Sequence, residues 1–147
     1  MEDGRITDSQ LIASSQYDES LSPIYARLNQ PAGYNGGGSA GAWHPLLSDP
    51  SKWIQVDLSI ITIVSGIISQ GRGRAGNIQW TTKYKVQRSD NAALWMWMMN
   101  VNQQDAMVSR PMLRRRSFSD HSRLSVRKLK KKAGDSPFCH WCVSSME

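Results

Sequence analysis

The side chains that could do covalent or metal chemistry are few and scattered. His44, His121 and His140 are isolated, and no spacing of Ser, His and Asp or of paired carboxylates sets a nucleophile beside a base. Cys139-His140-Trp141-Cys142 is a single C-x-x-C. A zinc site of that kind needs a second ligand pair, and a redox site needs a βαβ setting that is absent around it. The two thiols read as unpaired, with pairing to each other or a metal shared between chains as the alternatives. Gly36-Gly37-Gly38 lacks the Gly-Lys-Ser/Thr ending and following helix of a phosphate loop. His44, next to Pro45 in this glycine-rich stretch, reads as a surface residue. Arg114-Arg115-Arg116-Ser117 has the form of a basophilic kinase site, and Arg127 to Lys132 that of a polyanion or nuclear-localisation patch; such runs also arise by chance. The reading is a non-enzyme with no metal and no cofactor.

The charge that would serve a polyanion is confined to one end. Of the net +6, residues 1–100 contribute nothing, with eight basic and eight acidic groups, while residues 101–147 carry ten Lys/Arg against four Asp/Glu. Nucleic-acid contact, if any, falls to that tail. No apolar run approaches the ~18–20 residues of a membrane span. Met-Glu-Asp-Gly-Arg is acidic and polar, unlike a secretory leader, which leaves two readings: a chain that stays inside the cell, or one whose leader lies upstream.

The elements that must hold any site are strands. Residues 1–30 read as turns with scattered apolar groups, and 31–51 as a loop rich in Gly and Pro, with Tyr34 and Trp43 set among the glycines. Residues 53–58 alternate with period two, 61–68 are β-branched, 71–77 read as a turn-rich loop, and 80–88 alternate again before a short apolar segment at 94–99. Short strands between turns predict an all-β antiparallel sandwich. From residue 100 the dense charge predicts a disordered or weakly helical basic tail.

Met1 to Gln10, Ala13-Ser14-Ser15-Gln16-Tyr17, Ala26-Arg27-Leu28-Asn29, Gly41-Ala42-Trp43, Trp53-Ile54-Gln55-Val56-Asp57-Leu58, Ser69-Gln70-Gly71-Arg72, and Trp80 with Lys83 to Val86 follow one another with suitable gaps, up to Ser89-Asp90 and Trp95. In this order they resemble the discoidin domain, also called the coagulation factor 5/8 type C domain, over residues 1 to about 97. The resemblance implies a jelly-roll-like, galactose-binding-like β-sandwich. It is incomplete here: residues 1–99 form a partial domain and 100–147 a basic, low-order tail unrelated to the family. The Cys pair that usually brackets the family's domain has no counterpart.

The resemblance also implies ligand binding by loops at one end of the sandwich, in cell adhesion or extracellular-matrix recognition, and an extracellular or cell-surface setting. By position, Tyr17 and Ser20 fall in the first loop, Tyr34, Asn35 and Trp43 in or beside the second, and Arg72, Arg74 and Asn77 in the third. Aromatic faces stack on a sugar or an apolar side chain, and Arg forks onto a carboxylate, sulfate or phosphate. Trp43 is open between core and ligand contact, and Arg72 between bracing its loop and binding. Trp53 is read as core, Arg74 as a solvated charge, and Arg27 and Asp57 as structural hydrogen-bond partners. Leu21, Ile24 and Leu46-Leu47 are the candidate membrane spikes; with a spikeless Gly36–Gly38 tip, a cell-surface glycan or extracellular protein ranks above phospholipid. The second reading is an intracellular or aberrant product whose tail binds nucleic acid or another polyanion.

Overall fold

The computed structural model describes residues 5–33, 38–74, 77–81, 84–98, 114–117, 124–133 and 140–145. The two strand segments predicted over 53–58 and 61–68 become one strand, β2 (Trp53–Gln70). Its first half pairs with β1 (Leu11–Ala13), where Leu11 faces Val56, and with β8 (Leu124–Ala133), where Ile54 faces Lys131. Its second half lies between β7 (Arg114–Ser117) and β9 (His140–Ser145), so that Gly66 pairs with both Ser117 and Ser144. The far edge of β8 takes β5 (Tyr84–Ser89), and β5 takes β6 (Met96–Trp97). All these pairings are antiparallel. The 71–77 loop is in part a hairpin of its own, β3 (Arg72–Arg74) with β4 (Asn77–Gln79).

β2 is bent. Its register against β8 runs to Asp57–Lys128 and resumes at Thr62–Val126, which leaves residues 58–61 opposite Arg127 alone. Ser59, within this bulge, has φ +64°. Gln10 holds the bulge in place: its Nε2 donates to the Asp57 carbonyl at 2.7 Å and to the Ser59 hydroxyl at 2.9 Å. A straight strand of 18 residues would span roughly 60 Å. Yet Lys52, just before β2, and Arg72, just after it, both bear electrostatically on His44. The strand therefore doubles over at 58–61 and brings its two ends together, the bulged corner by which a strand passes from one layer of a sandwich to the other.

One core lies between the layers. Ile54, Val56, Val64 and Ile67 from both halves of β2 meet Tyr84 and Val86 of β5, with Leu11, Ala26, Leu28, Trp43 and Met98. Trp43 is fully buried although it comes from the glycine-rich loop, and its Nε1 donates to the Ser15 carbonyl at 2.9 Å. Trp53, read as core, is half-buried. Arg27 donates to the Ile6 carbonyl at 2.7 Å and pairs with Asp8 at 2.6 Å, and Asp57 accepts from the Ser59 amide at 2.8 Å, the structural roles expected of both.

Composition and charge give residues 100–147 low order, whereas the described stretches of that segment run as strands, with β8 between β2 and β5. The reason lies in the backbone. β2 and β5 each present a row of N–H and C=O groups, and a strand between them satisfies both rows whatever its side chains. Charge density reports nothing about that pairing.

Candidate functional site

The loops between β1 and β2 are built around Asp49. Its carboxylate accepts from the hydroxyls of Ser14 and Ser15, each at 2.5 Å, and from the amides of Ser51 and Lys52 at 2.7 and 3.2 Å. Burial pushes this carboxyl up, but the four hydrogen bonds outweigh it and hold the pKa at about 2. Asp49 is thus a charged hub that ties the first loop to the start of β2.

On this hub stand Tyr17 and His44. The Tyr17 amide donates to the His44 carbonyl at 2.8 Å, and the two rings meet edge to face with centroids 5.5 Å apart. The Tyr17 side chain is otherwise open, with 53% of the residue exposed. His44 is buried, not the surface residue its neighbours suggested, because the chain folds it beneath Tyr17. Its Nδ1 meets the Pro45 carbonyl, which only accepts, so Nδ1 carries the proton and Nε2 is an acceptor in the neutral ring. Burial lowers its pKa; the Pro45 carbonyl and Asp18 oppose this, and Lys52 and Arg72 add to it.

Arg72, at the start of β3, bears on the same imidazole. Its Nη1 lies 3.4 Å from Gln79 Oε1, at the long end of the hydrogen-bond range, and its Nε is buried with no partner among the described residues. A buried N–H left unmade costs ~1–3 kcal/mol. Two further orphaned acceptors or donors, Gln30 Oε1 and Ser39 Oγ, lie in the second loop.

The sites read from the sequence separate accordingly. Tyr17 packs on His44, and Arg72 bears on the same imidazole electrostatically. Ser20 donates its hydroxyl to Asp18 at 2.6 Å and its carbonyl accepts the Ala40 amide at 2.8 Å, a link between the first two loops. Trp43 leaves the ligand set: with no exposed surface it offers no face. Arg74 and Asn77 are register partners in the β3–β4 hairpin. Tyr34 and Asn35 lie outside the described residues. Of the membrane-spike candidates Leu21 is buried and Ile24 half-buried, while Leu46 and Leu47 are exposed at 43% and 69%. Sequence reading missed His44, Lys52 and Asp49 as parts of this end. Asp49-Pro50, at the end of the Gly/Pro-rich loop, is the local signal that could have drawn attention to Asp49. Among the described residues no three His, Cys, Asp or Glu gather as a metal site, and no helix is long and apolar enough to cross a membrane.

Fold and loops define a class: a jelly-roll-like β-sandwich with an exposed aromatic and an under-bonded guanidinium gathered where its longest strand begins and ends. The chain belongs to the F5/8 type C domain family, whose model matches residues 10–122 and so passes residue 99. It is similar to lactadherin of Sus scrofa, 36% identical over 101 residues that make up 65% of this chain and 23% of that protein. The chain spans about a quarter or less of the length of the curated relatives it matches first. Among solved structures, discoidin II of Dictyostelium discoideum matches with a TM-score of 0.75 at 17% identity, over 93% of this chain and 54% of that one. The family 32 CBM of C. perfringens NanJ, solved in complex with galactose, matches with a TM-score of 0.61 at 17% identity, over 93% and 97%. At such identities the structural likenesses establish the fold.

Proposed function

We propose that this chain is a non-catalytic recognition module of the cell surface or extracellular matrix, which holds a glycan or a protein ligand at the loop end around Tyr17, His44 and Arg72. The observation that carries the reading is the exposed Tyr17 ring set edge to face on buried His44, an imidazole on which Arg72 also bears electrostatically. A ligand oxygen meets the terminal nitrogens of the half-buried Arg72 guanidinium, and a sugar ring or apolar side chain covers Tyr17. A fold neighbour solved with galactose supports a sugar as the first class to test. Arg74 and Asn77, in the same hairpin, and Ser20, Tyr34 and Asn35, in the adjoining loops, are the further residues proposed for the rim.

The test is a glycan and matrix-protein binding screen with Arg72→Ala and Arg74→Ala, each followed by circular dichroism. Arg72→Ala is expected to weaken binding by ~1.5–3 kcal/mol, the range for hydrogen bonds to charged groups, and Arg74→Ala to do little. Equal, small effects remove Arg72 from the site. Lost structure in Arg72→Ala assigns it to bracing the loop. Salt separates this reading from binding of a polyanion by the basic tail, which would fall steeply as counterions are released.

A further inference from the structure

The register of β8 sorts the lysines of the basic segment between the two faces of the sheet. Lys131 pairs with Ile54 of β2 and Val86 of β5, both buried in the core, and so holds a core-face position. Positions alternate along a strand, so Lys128, Lys130 and Lys132 belong to the other face. Their neighbours mark that face as the outer one. Lys130 lies between Gln55 and Gln87. The next partner of Gln55 is Ile12 on β1, 46% exposed, and that of Gln87 is Trp97 on β6, 40% exposed. Gln55, flanked by strands on both sides, is itself buried. Lys132 lies between Trp53 and Lys85, and Lys128 between Asp57 and Ser89. Lys85 thus stands directly opposite another lysine. Like charges so placed on one face of an antiparallel pair destabilise it, and Asp57 is the only acid at these paired positions.

We propose that this outer face is a second binding site, sharing no residue with the loop end, for a linear sulfated polysaccharide laid along Lys128, Lys130 and Lys132 with Lys85 beside them. The opposed Lys85–Lys132 pair costs the sheet stability, and an anion lying across it cancels the repulsion. Alternate positions of a strand repeat at ~6.7 Å, so the three lysines of β8 form a straight row of ~13 Å. An extended chain that repeats its charge along its length suits such a row better than one small anion does. Trp97 argues against nucleic acid. Single strands bind by stacking bases on aromatic faces, and here the Lys85 ammonium already stands over the Trp97 ring, 5.4 Å from its centroid. The choice of a sulfated polysaccharide among polyanions also rests on the extracellular setting proposed above. The family match ends at residue 122, before β8 begins, so the row is a feature of this chain outside the matched stretch.

The experiment is binding of a size-defined heparin oligosaccharide to the whole chain between about 50 and about 200 mM salt, beside single-stranded DNA of matched charge. The variants are Lys85→Gln and Lys132→Gln on the row, with Lys131→Gln at the core-face position and Arg114→Gln on β7 as controls that remove the same charge. Lys85→Gln and Lys132→Gln are each expected to weaken heparin binding about fivefold at about 50 mM salt and to flatten its salt dependence, while both controls stay within about twofold of the parent. Arg114→Gln decides the comparison if Lys131→Gln misfolds. Thermal melts without ligand check the fold: relief of the opposed charges leaves Lys85→Gln and Lys132→Gln at least as stable as the parent. A parent chain that ignores heparin, a Lys85→Gln that binds as the parent does, or four variants that weaken alike overturns the proposal. The last two results mean that charge alone holds the polyanion, without the folded row. Tighter binding of the DNA than of heparin by the parent also overturns it, because nucleic acid is then the ligand. Tyr17→Ala and Arg72→Ala are expected to leave heparin binding unchanged, so this site and the loop-end function fail separately.

Discussion

Tyr17 and His44 are joined twice, by the 2.8 Å hydrogen bond from the Tyr17 amide to the His44 carbonyl and by an edge-to-face ring contact at 5.5 Å and 80°. One member is exposed and the other buried. The pair therefore carries the inside of the sandwich to its rim: His44 fixes where the tyrosine stands, and Tyr17 shields the imidazole from water.

That shielding has a pH signature. The folded-state pKa of His44 is lowered from 6.5, chiefly by burial. The unfolded chain therefore takes up this proton first as pH falls. The stability His44 contributes is whole above its unfolded pKa and drains as pH drops below it. Thermal melts between about pH 7 and about pH 5 should show a falling Tm in the parent chain and a flatter profile in His44→Gln.

A second acid step belongs to Asp49. Its folded pKa of about 2 lies below the ordinary 3.8, so its contribution is complete above that ordinary value and is lost as pH falls from there toward 2. Asp49→Asn keeps the shape but loses the charge-assisted bonds. It should cost about 1–2 kcal/mol at neutral pH, discounted for partial exposure, and chemical denaturation at pH 7 and at low pH should show the difference closing in acid.

Trp43 and Tyr17 should differ sharply although both are loop aromatics. Trp43→Ala empties a fully buried site and strands the Ser15 carbonyl, at a cost of about 3–5 kcal/mol. Tyr17→Ala removes a ring that is half in solvent and should cost under about 1 kcal/mol, while it weakens ligand capture. Urea titrations of both, set beside the binding screen, check the contrast.

Gly41 is fixed by its surroundings. It has φ +65°, and a Cβ there would lie 2.8 Å from both the Ala32 nitrogen and the Gln30 oxygen. Gly41→Ala forces apart the two limbs of the second loop, where Gly41 crosses Gln30 to Ala32, and should cost at least about 2 kcal/mol. Gly33 and Gly38 have positive φ too but open space around the added carbon, so alanine there should cost about 1 kcal/mol. Denaturant midpoints for the three variants test the ordering.

The sequence alone showed strand over 53–58, 61–68 and 80–88 and the sandwich class, because period-two alternation and β-branching are local and survive any tertiary context; the structure joins the first two and starts the third at Tyr84. Its block order also pointed to the family that the 10–122 match establishes. Tertiary structure decided the rest. Leu11-Ile12-Ala13 is too short to show a period, and becomes a strand only because the edge of β2 is there to pair with it. Segments 114–117 and 124–133 read as charge and 140–145 as the tail beyond them, yet all three lie in the sheet through backbone bonds that no side-chain pattern reports. Trp43 looked equally fit for core or rim, and His44 looked exposed, because burial depends on what the chain folds over them. Lys52 and Arg72 stand twenty positions apart, and what relates both to one imidazole is the bend at 58–61, where the sequence showed only a gap between two strand segments.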